Sequence, residues 1–153
     1  LSKLKNLRHF DMRDTPLLKK MPLGILQLKS LQTLCGIFIE GDNKFSITEL
    51  KDLKDLQGKI SIKGLEKVQS AMHAHEASLS QKRLSELEVE WSNVFDVSRN
   101  ETLEKEVLNV LKPCSDNLKK LRIVSYGGIE FPSWVGDHSF GQLTRVSINA
   151  CTT

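Results

Sequence analysis

The feature that most constrains this chain is an apolar pattern within residues 117–128, NLKKLRIVSYGG. Leu121 and Ile123 alternate there with basic residues, which predicts a strand with one buried face. Leu118 lies three positions before Leu121 and breaks the alternation, so we expect the chain to bend before the strand begins. The pattern therefore predicts an apolar anchor, a bend, a strand and a change of direction.

The same pattern recurs five more times along the chain. Its anchor positions are Leu7, Leu31, Leu56, Leu84, Leu118 and Leu143, with gaps of 24, 25, 28, 34 and 25 residues. The copy at Leu56 fits only if one extra residue is allowed at Gly58, as a β-bulge would supply. Six copies at this spacing are typical of a leucine-rich-repeat coil, in which each copy forms one turn.

We therefore predict an α/β fold: a leucine-rich-repeat solenoid with a parallel concave β-sheet and short helices and loops on the convex side. Residues 1–153 are interpreted as one fragment of about six repeats, uncapped at both ends. The true start is expected upstream, because the chain begins at Leu1 in mid-pattern. The predicted strands cover residues 8–13, 33–39, 59–63, 86–91, 120–125 and 145–149.

Two stretches on the convex side have helical periodicity. The first has apolar residues at Val68, Ala71, Met72, His75 and Leu79. This spacing predicts a helix of about three turns in which His75 is a buried core histidine. The second predicted helix is Thr102–Lys112, which stops before Pro113. Residues 92–100 lack a pattern and are predicted to form a mobile loop.

Composition narrows the functional classes. Apolar residues make up 39% of the chain and aromatic residues only 6%, which predicts an aliphatic core. The net charge of +3 is too small to indicate nucleic acid binding, and no apolar run is long enough to span a membrane. Cys35, Cys114 and Cys151 are odd in number and lack a C-x-x-C pair, which favours reduced thiols in the cytoplasm.

Strand residues that flank the buried positions are predicted to face the concave surface. The candidate protein-binding residues there are His9, Asp11, Arg13, Lys59, Ser61, Lys63, Glu86, Glu88, Glu90, Lys120, Arg122, Arg145, Ser147 and Asn149. Thr33, Cys35, Ile37 and Val124 complete the same columns.

The fourth strand is acidic at all its concave positions, and the third and fifth strands are basic on either side of it. Since neighbouring strands lie about 4.8 Å apart, these charges are expected to pair across the sheet. They form either a ladder of exposed pairs, each worth roughly 0–1 kcal/mol, or a charged patch for a partner. For the surface as a whole we favour a binding face, because solenoids bind through concave sheets.

No catalytic set or cofactor site is predicted. His73, His75 and Glu76 lack the H-E-x-x-H spacing of a metal site. Trp91 and Trp134 are expected to pack inside the fold. The chain also lacks G-x-x-x-x-G-K-[ST], so we expect no phosphate cradle within it.

Several motifs carry a resemblance to a known family. They are GLEKV at residues 64–68, LSELEVEW at 84–91, VLNVLKP at 107–113, NLKKLRIVSYGG at 117–128 and FPSW at 131–134. In this order they resemble the leucine-rich-repeat region of plant coiled-coil nucleotide-binding (NLR-type) disease resistance proteins. The resemblance covers residues 56–151 well and the first 55 more loosely.

That resemblance implies a role in plant defence. It implies a coiled-coil domain and a nucleotide-binding switch upstream, where ADP or ATP would bind. The implied partners are a pathogen effector or a guarded host protein, and the nucleotide-binding domain of the same chain, which this region would hold inactive. No nucleic acid or membrane partner is expected.

Two other classes remain open. One is the substrate-binding array of a ubiquitin-ligase F-box adaptor, which an upstream F-box would favour. The other is an extracellular receptor-like ectodomain, which usually carries N-x-L-x-G-x-I-P after each strand, a signature absent here.

Overall fold

The computed structural model describes residues 4–13, 20–22, 24–41 and 44–152. Within these residues the strands are β1 (His9–Asp11), β2 (Thr33–Phe38), β3 (Lys59–Lys63), β4 (Glu86–Glu90), β5 (Lys120–Val124) and β6 (Arg145–Asn149). The α-helices are α1 (Ala71–Glu76) and α2 (Glu101–Val110). Short 3-10 helices occupy Ile25–Gln27, Ile47–Asp52, Leu65–Lys67 and Leu79–Gln81.

The six strands form one parallel sheet in chain order, from β1 to β6. Each strand lies within two residues of its predicted bounds. Leu87 of β4 is in register with Leu121 of β5 and Val146 of β6. The open parallel sheet with short helices behind it confirms the predicted solenoid.

The anchor residues build the core behind the sheet. Leu31, Leu56, Leu84 and Leu118 are fully buried, as the repeat pattern predicts. Each anchor is followed by a bend that hydrogen bonds tie to the preceding repeat. For example, the amides of Lys119 and the next residue both donate to the Ser85 carbonyl, at 2.8 and 3.2 Å.

The extra residue at Gly58 is visible in these bends. In this repeat the anchor Leu56 and the first buried strand residue, Ile60, are four positions apart. In the other copies the same two positions are three residues apart. The amides of Gln57 and Gly58 both donate to the Gln32 carbonyl, each at 3.0 Å. The loop therefore absorbs the additional residue without shifting β3 out of register with β4.

The register of β2 corrects the assignment of Ile37. Leu34 pairs with Ile60, but Ile37 pairs with Ile62, so β2 carries one extra residue. Gly36 takes it up with a left-handed φ of 82°. Ile37 consequently turns into the core, with no exposed surface, and is not a concave residue. Phe38, paired with Lys63, takes its column.

The first predicted helix is wrong in length and in phase. α1 spans only six residues, because 3-10 turns replace the helix on both sides. Ser70 caps it by accepting from the Met72 amide at 3.1 Å, which sets the helix start. Ala74 and Ala77 face the core, where small side chains allow close packing. His75 is exposed and Met72 is 68% exposed, so the core-histidine prediction is wrong.

The second predicted helix agrees with α2, whose buried residues include Val107 and Leu108. Asn100 caps it by accepting from the Leu103 amide at 3.0 Å. None of the helices among the described residues has the length and apolar character that crossing a membrane requires.

Candidate protein-recognition surface

The sheet places most of the predicted concave residues in columns. Lys59, Glu86, Lys120 and Arg145 are paired in register across four successive strands. The next column contains Ser61, Glu88, Arg122 and Ser147. Glu90 and Asn149 lie in a third column, on either side of Val124. Lys63 ends β3 and is half-buried.

Most of the predicted cross-strand charge pairs form, but neither Lys63 nor Glu90 makes an ion pair with a described residue. Lys59 Nζ lies 3.8 Å from Glu86 Oε2 and 3.6 Å from Glu88 Oε2. From the other side, Lys120 Nζ lies 3.6 Å from Glu86 Oε1. Arg122 Nη1 donates to Glu88 Oε1 at 3.2 Å, and its Nε donates to an oxygen of Asn149 at 3.3 Å. Two carboxylates are thus shared by three basic side chains.

The basic side of this ladder remains open to solvent. The side chains of Lys120 and Arg122 are half-exposed, whereas that of Glu88 is largely covered. Arg145 is exposed and forms no ion pair with any described residue. These residues line a groove of about 360 Å³ on the concave face. Its chemistry suits a partner that presents acidic or hydrogen-bond-accepting groups.

The first strand carries a separate polar cluster. His9 Nδ1 and Thr33 Oγ1 are joined by a hydrogen bond of 2.8 Å. Arg13 donates from Nη2 to Asp11 Oδ2 at 2.5 Å and from Nε to both carboxylate oxygens at 3.0 Å. The Arg13 hydrogen bonds hold the pKa of Asp11 below its ordinary value. Asp11 therefore remains charged and exposed on this face.

Ser61 is in its predicted column but is not part of the surface. It is only 2% exposed. Its hydroxyl accepts from the Gly36 amide at 2.6 Å, which satisfies a donor that the extra residue in β2 releases. Ser61 therefore stabilises the sheet and offers no contact to a partner.

Sequence reasoning missed a cluster around Arg99, in the segment predicted to be a mobile loop. Arg99 donates from Nε and Nη2 to the two Glu104 oxygens at 2.7 and 2.6 Å. It also donates from Nη1 to the carbonyls of Ser92 and Val94 at 2.6 and 2.9 Å. The guanidinium carbon lies 4.7 Å from the centre of the Phe95 ring. The Arg99 side chain thus links the beginning of the loop, at Ser92 and Val94, to Glu104 in α2.

The cluster also joins this loop to the next repeat. Arg99 Nη2 donates to the Ser125 carbonyl at 3.0 Å, and the Gly127 amide donates to Glu104 Oε1 at 3.0 Å. The hydrogen bonds from Arg99 to Glu104, together with the Glu104 charge, raise the pKa of Arg99. The signal was present in the sequence: Glu104 lies three and four positions before Val107 and Leu108, on the buried face of α2.

The two tryptophans pack inside the fold, as predicted. Trp91 makes an edge contact with Tyr126, with ring centres 5.1 Å apart. Trp134 donates from its indole nitrogen to the Leu108 carbonyl at 3.0 Å. Across the described residues, no cluster of His, Cys, Asp and Glu has the arrangement of a metal site.

A parallel sheet in chain order, an aliphatic ladder and a charged concave face define the class of protein: a leucine-rich-repeat solenoid. The particular family follows from comparison with family models. The model of the R13L1/DRL21 leucine-rich repeats matches residues 47–153, so the chain belongs to that family.

Curated relatives place this family in plant defence. The chain is 41% identical over 136 residues to the putative disease resistance protein RGA4 of Solanum bulbocastanum, covering 88% of this chain and 13% of that protein. It is 37% identical over 121 residues to the putative disease resistance RPP13-like protein 1 of Arabidopsis thaliana, covering 74% and 11%. It is 40% identical over 124 residues to the disease resistance protein RGA2 of Solanum bulbocastanum, covering 80% and 12%.

The chain thus spans about an eighth of the length of these relatives. No solved structure matches it. The resemblance to the leucine-rich-repeat region of plant NLR-type disease resistance proteins is confirmed, and the chain is a defence-related leucine-rich-repeat module.

Proposed function

We propose that this chain is the part of a cytoplasmic plant immune receptor that recognises a protein and restrains the receptor's nucleotide switch. The recognised partner is a pathogen effector or a guarded host protein. The restrained partner is the nucleotide-binding domain of the same receptor, which would hold ADP or ATP. The chemistry of this module is surface complementarity, with no bond made or broken.

The observation that carries this proposal is the open basic side of the concave ladder. Lys120, Arg122 and Arg145 project from a rigid sheet, so little backbone ordering is required when a partner binds. Arginine is also enriched among the residues that contribute most to protein interfaces. A protein partner with carboxylates on its surface fits this face.

The small contribution of each ion pair in the ladder to stability supports a restraint that can be reversed. Each exposed pair contributes only about 0–1 kcal/mol. A carboxylate of another domain can therefore replace Glu86 beside Lys120 at little cost in stability. Such exchangeable pairs suit a contact that must form in the resting receptor and break on activation.

The test uses the intact receptor that contains this chain, produced in leaf tissue. The test variant combines Lys120→Ala, Arg122→Ala and Arg145→Ala. The matched control combines Lys51→Ala, Lys67→Ala and Lys112→Ala, all of which are exposed. We expect the test variant either to lose the response to the pathogen or to cause cell death without it.

The control variant should behave as the unmodified receptor at equal abundance on immunoblots. A test variant that also behaves normally would exclude the concave face as the functional surface. The upstream sequence gives a second test: a nucleotide-binding G-x-x-x-x-G-K-[ST] motif is expected there. An F-box in its place would favour the ubiquitin-ligase adaptor instead.

A further inference from the structure

A second groove crosses the carboxyl ends of the strands, away from the charged ladder. It has a volume of about 570 Å³ and is lined by residues at the ends of β3, β4, β5 and β6, including Glu66, Trp91, Ser125 and Ala150. We call it the carboxyl-edge groove. Four adjacent strand ends span roughly 14 Å, the length of about four residues of extended peptide.

Two residues that line this groove each have a buried polar atom without a hydrogen-bond partner among the described residues. Trp91 is only 2% exposed, and its indole Nε1 makes no hydrogen bond with any described residue. Glu66 Oε1 is also closed to solvent and has no hydrogen-bond partner in the described part of the chain. Buried donors and acceptors are nearly always paired, so two orphans in one groove are unusual. Trp134, in contrast, is paired through its indole nitrogen.

The orphaned indole is held in place by its surroundings. The Trp91 amide donates to the Val124 carbonyl at 3.0 Å, and the ring packs edge-on against Tyr126. Tyr126 is itself fixed, because its hydroxyl donates to the Glu130 carbonyl at 2.6 Å. The indole ring is therefore held in one orientation, and its buried N–H is a donor without an acceptor among the residues that the structure describes.

The charge of the groove defines what can supply that acceptor. Glu66 and Glu90 line it, and no lysine, arginine or histidine of the described part of the chain does. Arg99, which interacts electrostatically with Glu66, already directs its donors to Glu104 and to backbone carbonyls. A cationic group is therefore favoured beside Glu66, whereas an anionic ligand such as nucleic acid is repelled.

We propose that the carboxyl-edge groove binds a basic, extended peptide segment of a partner protein. An arginine or lysine of the peptide donates to Glu66, and a peptide carbonyl accepts from the Trp91 indole N–H. A metal cation would satisfy the carboxylate but not the indole, so a peptide accounts for both orphans. Since both atoms are closed in the free chain, the groove must widen on binding.

This site is distinct from the groove of the basic concave ladder, with which it shares none of the described lining residues, although one candidate concave residue, Glu90, lines it. The carboxyl-edge groove favours a positively charged partner, whereas the open side of the ladder favours a negatively charged one. The variants of the ladder described above leave Glu66 and Trp91 unchanged, so the two proposals succeed or fail separately.

The test follows the indole N–H signals of the full chain by nuclear magnetic resonance. The chain has two tryptophans, and Trp134 serves as an internal control because its N–H is already paired. The probe is an acetylated, amidated pentapeptide of alternating glycine and arginine; the comparison peptide carries glutamine in place of arginine. We expect the arginine peptide to shift the Trp91 signal saturably and the Trp134 signal to stay unchanged.

Glutamine in the peptide should weaken binding at least tenfold, as should Glu66→Gln in the protein, since each removes a charge-assisted hydrogen bond. The matched control is Glu76→Gln, an exposed carboxylate on α1, which should bind as the unmodified chain does. An unmoved Trp91 signal at about 10 mM arginine peptide overturns the proposal without any variant. Equal shifts with both peptides, or unchanged binding after Glu66→Gln, overturn it too.

Discussion

A buried charged pair is costly unless its donors and acceptors are used, and Arg99 meets that condition. Its side chain is 7% exposed and that of Glu104 is 6% exposed. The guanidinium donates to both Glu104 oxygens and to the carbonyls of Ser92, Val94 and Ser125. All five of its N–H groups can thus be satisfied. A loop without apolar periodicity is ordered in this way by one side chain.

We expect Arg99→Met to lower the free energy of unfolding by about 3–5 kcal/mol, because it leaves the Glu104 charge buried and unpaired. Arg99→Met combined with Glu104→Leu should cost clearly less than the sum of the single changes. Urea unfolding of the four proteins measures this coupling. Additive losses would mean that the pair does not act as a unit.

Leu121 and Lys119 lie two positions apart but contribute very differently to stability. Leu121 is buried and Lys119 is exposed. We expect Leu121→Ala to cost about 2–5 kcal/mol through lost burial and a cavity. Lys119→Ala should change stability by no more than about 0.5 kcal/mol. Equal shifts in thermal melts would show that the inward face is assigned wrongly.

The thiols of Cys35 and Cys151 should react more slowly in the folded chain than in the unfolded chain. Burial raises the pKa of both, so less thiolate is present at a given pH. We expect iodoacetamide at pH 8 to alkylate both thiols more slowly in the folded chain than in the urea-unfolded chain. As the pH is raised, the alkylation rates of the folded chain should increase only at pH values above the ordinary pKa of a thiol. Mass spectrometry of timed samples reports each site. Equally fast alkylation of the folded and unfolded chains would contradict this expectation.

Among the secondary-structure elements, β2 shows how one residue changes a strand. Its extra residue requires a left-handed φ of 82° at Gly36, and the backbone that directly follows β1, at Met12 and Arg13, passes close by. A Cβ added at Gly36 would lie 2.7 Å from the backbone nitrogen of Arg13. The Ser61 hydroxyl then satisfies the displaced amide. The position therefore admits only glycine without rearrangement.

We expect Gly36→Ala to destabilise the chain by about 2–5 kcal/mol, the sum of left-handed strain and steric overlap. Gly141→Ala is the matched control, since an added Cβ there meets nothing within 4 Å. Chemical unfolding compares the two variants. A Gly36→Ala loss no larger than that of the control would show that the extra residue is accommodated elsewhere.

In the whole molecule, the position of a strand in the sheet decides how much its core residues are buried. Ile123 and Ile148 are in register on β5 and β6. Ile123 is fully buried, whereas Ile148 is 46% exposed, because β6 is the edge strand of the described sheet. Equivalent positions of the repeat therefore differ in their energetic contribution.

We expect Ile148→Ala to cost about half as much as Ile123→Ala, for which about 2–5 kcal/mol is typical. Thermal unfolding of the two variants measures the ratio. Equal costs would indicate that another part of the protein covers β6 in solution.

Much of this fold could be predicted from the spacing of the apolar residues in the sequence. The anchors at Leu84 and Leu118 locate β4 and β5, and alternation after them predicts which residues face inward. The pairing of Glu88 with Arg122 followed from the same alignment. Regular repeats make such predictions possible because each turn of the coil contacts its neighbours in the same register.

The wrong predictions concern segments in which the spacing of the apolar residues changes. One extra residue in β2 moved Ile37 to the core, and its effect depends on where the sheet can accept a left-handed residue. His75 was assigned to the buried stripe because its spacing fits a long helix, but the helix is short and alanines face the core. Helix length here depends on packing and capping, which spacing alone does not report.

The sequence by itself determined the repeat, the parallel sheet and the charges that meet on its concave face, because a two-residue alternation after each anchor leaves only one inward face. Only the tertiary structure decided the burial of Arg99 with Glu104, the inward turn of Ile37 and the unpaired indole of Trp91. Those features depend on contacts between residues far apart in the chain, where the neighbouring turn supplies or withholds a partner.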